Sequence, residues 1–119
     1  TRVVELKQGE INEYDISPAD FGMAARTAEE YAGLVADSAE TSLALVKQSL
    51  SDDTSAAADI VALNAGAAIY VSGVANTMAN GVAMAQDAIS SGMAKERLAE
   101  LVRITSLMSE AANTDTKTP

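Results

Sequence analysis

Two adjacent acid pairs, Glu29-Glu30 and Asp52-Asp53, are where the residue types and spacing of this 119-residue sequence could do chemistry. Paired carboxylates can hold magnesium against a diphosphate. Such a site also needs basic side chains or a glycine-rich backbone nest beside it, and neither pair has such neighbours. The structural reading is therefore favoured. Asp52-Asp53 caps a helix start, where negative charge meets the helix dipole, and Glu29-Glu30 lies on a solvated face. Asn64 stands in an apolar segment, where it could reach a ligand or bond a neighbouring loop backbone. Leaving a buried amide unpaired costs about 1–3 kcal/mol, which favours the backbone partner. Met78, Val82, Ala85 and Ile89 recur at helical spacing and read as core ahead of a partner-binding groove. Glu100 and Arg103 form an i,i+3 pair that implies no function.

Other chemistries lack their residues. With no His and no Cys, a Ser-His-Asp triad, a Cys-His pair and the usual zinc ligand sets cannot be assembled within the sequence. No two glycines stand closer than seven positions, so neither a phosphate loop nor a dinucleotide fingerprint can be written. The formal net charge of -9 disfavours nucleic acid and anionic membrane as partners. No run approaches the roughly 18 apolar residues of a membrane span. Zero Cys and a polar start fit a cytoplasmic protein.

The elements that must position these residues can be read along the chain. Ala is roughly a fifth of the residues and aromatics are 3%, so the chain should be mostly helical and closely packed around a core of its own. Arg2–Leu6 and Glu10–Ile16 read as strands joined at Lys7-Gln8-Gly9, a hairpin at residues 1–16 that must add to a sheet or lie on helices. Residues 17–36 read as loop with short helical turns. Pro18 opens one tight turn, Gly22 stops it, and Phe21 plugs the core.

Residues 37–111 read as the helical part. Asp37-Ser38-Ala39-Glu40 is a capping box for a helix burying Leu43, Val46 and Leu50. Ser51–Thr54 breaks that helix and caps the next, a buried helix over Ala56–Ser72 ended by Gly73. A further helix spans Thr77–Ser90. Ser91 caps the last helix, with a stripe of Leu98, Leu101, Val102, Thr105 and Met108. Residues 112–119 read as a flexible tail. Thr1-Arg2-Val3-Val4 is already strand, without Met or leader, which is how a fragment or cleaved chain would look.

Three stretches in order resemble the C-terminal part of the anthranilate phosphoribosyltransferases, within the nucleoside phosphorylase/phosphoribosyltransferase family. They are Val3-Val4-Glu5-Leu6-Lys7-Gln8-Gly9-Glu10-Ile11-Asn12-Glu13-Tyr14 running into Ser17-Pro18-Ala19-Asp20-Phe21-Gly22-Met23; Leu63-Asn64-Ala65-Gly66-Ala67-Ala68-Ile69-Tyr70-Val71-Ser72-Gly73; and Ala88-Ile89-Ser90-Ser91-Gly92-Met93-Ala94 followed by Leu98 and Leu101. Each alone is a weak signal; their order and spacing over nearly the whole chain are specific.

The resemblance implies an enzyme that transfers phosphoribose from phosphoribosyl pyrophosphate to anthranilate in tryptophan synthesis. It also implies magnesium on the diphosphate and a homodimer. The family's glycine-rich Gly-Thr-Gly-Gly-Asp loop, Lys-His-Gly-Asn segment, anthranilate-binding Arg and Asp-Glu metal pair are not found here, and the Asp-Glu pair would fall shortly before Thr1. No residue of this chain is therefore assigned a catalytic, cofactor-binding or metal-ligating role, and no magnesium is expected on it. One departure stands at Val35-Ala36-Asp37-Ser38-Ala39-Glu40-Thr41-Ser42, where the family often has Gly-Gly-Asp and then Glu-Asn-Ala.

The expected fold is mainly α with an N-terminal β-hairpin, the C-terminal part of an α/β phosphoribosyltransferase domain. The expected partner is the missing N-terminal part of the same enzyme, whose sheet the hairpin completes. The rival readings are a free-standing acidic helical interaction module and a related phosphoribosyltransferase or phosphorylase with another acceptor.

Overall fold

A computed structural model describes residues 1–117, with side chains described to Thr114. Strands β1 (Arg2–Lys7) and β2 (Glu10–Asp15) pair antiparallel, with Val3 opposite Tyr14 and Leu6 opposite Ile11. The two-residue turn between them has both residues at positive φ, Gln8 at 53° and Gly9 at 81°. That backbone suits the right-handed twist of a hairpin. At the open end, the Thr1 ammonium donates to the Ile16 carbonyl (2.7 Å) and the Ile16 N–H donates to the Thr1 carbonyl (2.8 Å). Ile16 thus pairs just beyond the strand.

A 3-10 turn (Pro18–Phe21) follows, and Gly22 ends it at φ 72°. Its first turn is held by Asp20, whose Oδ2 accepts from the Ser17 N–H at 2.7 Å. Met23, rather than Phe21, is buried here; Phe21 packs on the rim of the core. The one helix in the next stretch is short, α1 (Ala28–Ala32).

Four longer helices complete the chain: α2 (Ala39–Ser49), α3 (Ala56–Val71), α4 (Met78–Ser90) and α5 (Met93–Lys117). Each of α2, α3 and α4 starts on a hydroxyl cap. Ser38 accepts from the Thr41 N–H, Ser55 from Ala58, and Thr77 from Asn80. The caps differ from the expected ones by one to three positions. The α2 cap is Ser38 and not the Asp37–Glu40 box, and the α3 cap is Ser55 and not the Asp52-Asp53 pair. Ser91 closes α4 rather than opening α5, because Gly92 at φ 83° turns the chain between them.

The core lies between α3 and α4. Met23, Ala62, Val82, Ala85 and Ile89 are its buried members, and Val82, 1% exposed, is the largest fully buried side chain among the described residues. Val82, Ala85 and Ile89 of the predicted α4 stripe are therefore core, while Met78, at its start, is only half-buried. Small residues let the two helix backbones meet. A Cβ on Gly66 would stand 2.5 Å from both Cα and Cγ2 of Val82, and one on Gly81 would strike the Gly66 carbonyl oxygen.

Several side chains expected inside are outside. Leu43 and Val46 on α2 are exposed, and Leu50 is half-buried. On α5, Leu101 and Met108 are 58% and 66% exposed, Val102 and Thr105 are exposed, and Leu98 is half-buried. The physical reason is the same in both helices: amphipathic spacing marks a face to be covered, and the described residues supply nothing to cover it. The expected core of ordinary size is correspondingly small. The radius of gyration is 18.1 Å, against about 13.5 Å for a compact domain of this length. The expected tail from Ala112 is also corrected, since α5 runs on to Lys117. Ala111 and Ala112 favour helix, and Thr114 Oγ1 donates back to the Glu110 carbonyl at 2.9 Å. Thr118 and Pro119 lie outside the described residues.

Candidate functional site

The acid pairs do not come together as a metal site. Asp52 Oδ1 accepts from the Thr54 N–H (3.1 Å) and the Thr54 hydroxyl (2.6 Å). Those bonds, the hydroxyl's first, hold the Asp52 carboxyl below the usual range. Glu30 serves the α1 cap: its Oε2 accepts from the Thr27 N–H at 2.8 Å while its own N–H donates to Thr27 Oγ1 at 3.2 Å. The Thr27 backbone bond and then the Arg26 guanidinium lower the Glu30 pKa. Among the described residues, no group of three or more acidic, His or Cys side chains could hold a metal ion. Asn64 is exposed rather than buried, and its Nδ2 donates to the Ile60 carbonyl of its own helix at 2.9 Å.

The sequence gives no sign of a highly connected charge among the described residues, Arg26. Its Nε donates to Asp59 Oδ2 (2.9 Å), its Nη2 lies 2.8 Å from the same oxygen and donates to the Thr54 carbonyl (2.7 Å), and its Nη1 reaches Glu30 Oε1 (3.2 Å). The side chain is 16% exposed. One fork-shaped guanidinium thereby ties α1, the α2–α3 turn and the first turn of α3. The Asp59 hydrogen bond is the main cause of a raised Arg26 pKa. With each guanidinium nitrogen engaged by a carboxylate or a carbonyl, Arg26 acts as a structural clamp. Its partners lie up to 33 residues away, and nothing in the spacing announces them.

A second network joins the hairpin to α3. Glu5 accepts from the hydroxyls of Tyr14 (3.1 Å) and Tyr70, the latter by a short bond. Lys7 Nζ donates to Tyr70 Oη at 3.2 Å and stands 5.2 Å from its ring centroid. Burial and then the Glu5 carboxylate raise the Tyr14 pKa. The network walls a cleft of about 480 Å³, with Val3, Ala67, Ala75 and Met78 on its apolar side. Glu5, Lys7, Tyr14 and Tyr70 bond one another, and through them the hairpin is anchored to α3.

The pleat decides what remains uncovered. Val3, Glu5, Lys7 and Tyr14 share the face toward α3. Val4, Leu6 and Ile11 share the opposite face and are 63%, 74% and 69% exposed. The same outer face carries Arg2, paired with Glu13 (2.7 Å) and Asp15 (3.3 Å). No helix among the described residues is long and apolar enough to cross a membrane.

The model of the glycosyl transferase family, a/b domain, matches residues 1–95. Similar curated proteins carry the name anthranilate phosphoribosyltransferase. The one from Cellvibrio japonicus is 50% identical, covering 88% of this chain and 31% of that relative. The one from Teredinibacter turnerae is 46% identical, covering 90% and 32%. The one from a Marinomonas species is 51% identical, covering 88% and 30%. The chain thus spans about a third of the length of the relatives it matches.

Proposed function

The chain belongs to the glycosyl transferase family, a/b domain, and from that premise we propose that it is the C-terminal structural part of an anthranilate phosphoribosyltransferase. The whole enzyme would move phosphoribose from phosphoribosyl pyrophosphate to the anthranilate amine, a step of tryptophan synthesis in the cytoplasm, as a homodimer using magnesium. This chain would supply support: the hairpin extends the parent sheet, and the helices brace it. The diphosphate clamp, the metal carboxylates and the anthranilate pocket would lie on the rest of the polypeptide.

The observation that carries the reading is the set of apolar faces left uncovered, on the hairpin, α2 and α5, in a chain matching a third of relatives that bear this enzyme name. A free-standing domain would bury those faces in itself. The hydrogen bonds that occupy Glu30, Asp52 and Arg26 fit a supporting role. The test is to mix the isolated chain with anthranilate, phosphoribosyl pyrophosphate and magnesium. No turnover is expected, and turnover by the chain alone would overturn the reading. Replacing the corresponding third of the Cellvibrio japonicus relative with this chain tests the other half: the chimera should transfer phosphoribose to anthranilate.

A further inference from the structure

We infer that the outer hairpin face built by Val4, Leu6 and Ile11 is a docking face, and that its occupant is the remainder of the same polypeptide in a full-length family member. The inference rests on the proposed function and assigns it a surface. Leu6 and Ile11 are directly opposed across the two strands, and Val4 lies on the same face, so the three form one contiguous patch at the turn end of the hairpin. All three are more than three-fifths exposed. The strand edges beside them pair only with each other in this two-stranded sheet, leaving outer N–H and C=O groups available to a further strand. The opposite face is already closed on α3 through Glu5, Tyr14 and Tyr70.

The choice of occupant follows from size and charge. A stable association of separate chains buries about 1,200–2,000 Å², far more than three side chains supply. A second copy would also bring a second net charge of -9 against the first. A covalently connected segment escapes the first objection outright, and it does not repeat this chain's own charge as a second copy must. Its translational and rotational freedom is already restricted, so a small patch suffices. The relatives provide such a segment, since about two-thirds of their length lies outside the matched region. The one cation on the face, Arg2, is already neutralised by Glu13 and Asp15, so covering the patch strands no unpaired positive charge.

The experiment uses the Cellvibrio japonicus chimera with Leu6→Lys and Ile11→Lys together, and Asn12→Lys as a control on the opposite face. The double variant should lower the chimera's Tm by at least about 5 °C and reduce its soluble yield, while Asn12→Lys leaves both near the parent. In the isolated 119-residue chain, the same double variant should leave amide exchange in the hairpin unchanged, because there the patch faces mostly water. A double-variant chimera as stable as its parent overturns the docking face while leaving the phosphoribosyltransferase reading intact. An inactive but folded parent chimera counts against that reading, and Tm still decides the docking face. An isolated chain that is dimeric, and that Leu6→Lys with Ile11→Lys makes monomeric, overturns the choice of occupant. Loss of hairpin protection in the isolated variant also overturns the inference, since the patch would then support the hairpin itself.

Discussion

Gly66 on α3 and Val82 on α4 approach so closely that a Cβ on the glycine would stand 2.5 Å from the valine Cα. No real side chain tolerates that distance, and the obstacle is backbone, which cannot swing aside. Gly66→Ala should therefore force α3 and α4 apart and destabilise the chain by about 1–3 kcal/mol or more. Urea unfolding followed by circular dichroism reads this directly. Gly73→Ala is the informative contrast. Its added Cβ meets nothing within 4 Å, but its φ is +84°, so the expected loss is smaller, about 1 kcal/mol. Equal effects at the two glycines would contradict the close crossing.

Val82→Ala tests the core itself. The side chain is essentially sealed, and its removal leaves a void between α3 and α4. A loss of about 2 kcal/mol is expected in the same unfolding assay. Leu101→Ser with Met108→Ser should instead leave unfolding of the isolated chain within about 0.5 kcal/mol of the parent, because both side chains are already in solvent.

Arg26→Gln should loosen the junction of α1, the α2–α3 turn and α3 without unfolding the α3–α4 pair. Hydrogen exchange should rise at the amides of Glu30 and Thr54 and stay slow at Ala85 and Ile89. A uniform rise would mean that the guanidinium supports the whole fold rather than this junction.

Acid should act at the same junction. The Glu30 and Asp52 pKa values are lowered in the folded chain, so their contribution to stability is complete above the ordinary carboxylate range, near pH 4. It is lost as the pH falls through the depressed folded values. Exchange at the amides of Glu30 and Thr54, corrected for intrinsic rate, should therefore rise below about pH 4 before the α3–α4 core opens. Arg26 remains charged throughout this window, so the carboxylates set the midpoint.

Tyr70→Phe should free the hairpin from α3. It removes the donor to Glu5 and the acceptor of Lys7 together. A loss of about 1 kcal/mol is expected, seen as faster exchange in β1. The alkaline limb has the opposite sign from the acid one. Tyr14 is raised above its ordinary value, so its neutral form contributes fully below about pH 10 and the contribution fades as the pH climbs through the raised value. Tyr14→Phe should flatten that limb.

Local chemistry was legible wherever the partner was a near neighbour in sequence. The Pro18–Gly22 turn, the hairpin around Gln8-Gly9 and the α4 stripe of Val82, Ala85 and Ile89 all follow from spacing and φ preference. What failed depended on distant or absent partners. The periodicity of Leu43 and Val46 in α2, and of Leu101 and Met108 in α5, reports a face that wants cover but not who covers it. Asn64 stands among apolar residues that suggest burial, yet its face of α3 points outward. Arg26 looked like one scattered base among eight, because the acids that surround it converge only after α2 and α3 have packed. The Gly66–Gly81 crossing was invisible for the same reason. The resemblance to the family rested on short ordered stretches, and it supplied the missing partner that composition could not.

The pairing of α3 with α4 has a kinetic consequence. Its contacts fall within residues 56–90, across a single short connection from Ser72 to Thr77. Closing so short a loop costs little chain entropy, and low sequence separation goes with fast folding. The glycine-lined crossing can therefore form early, as a local nucleus independent of the strands. The hairpin, equally local, can form as a second. Their joining through Glu5 and Tyr70 spans 65 residues, and that closure is the slow step expected to follow them.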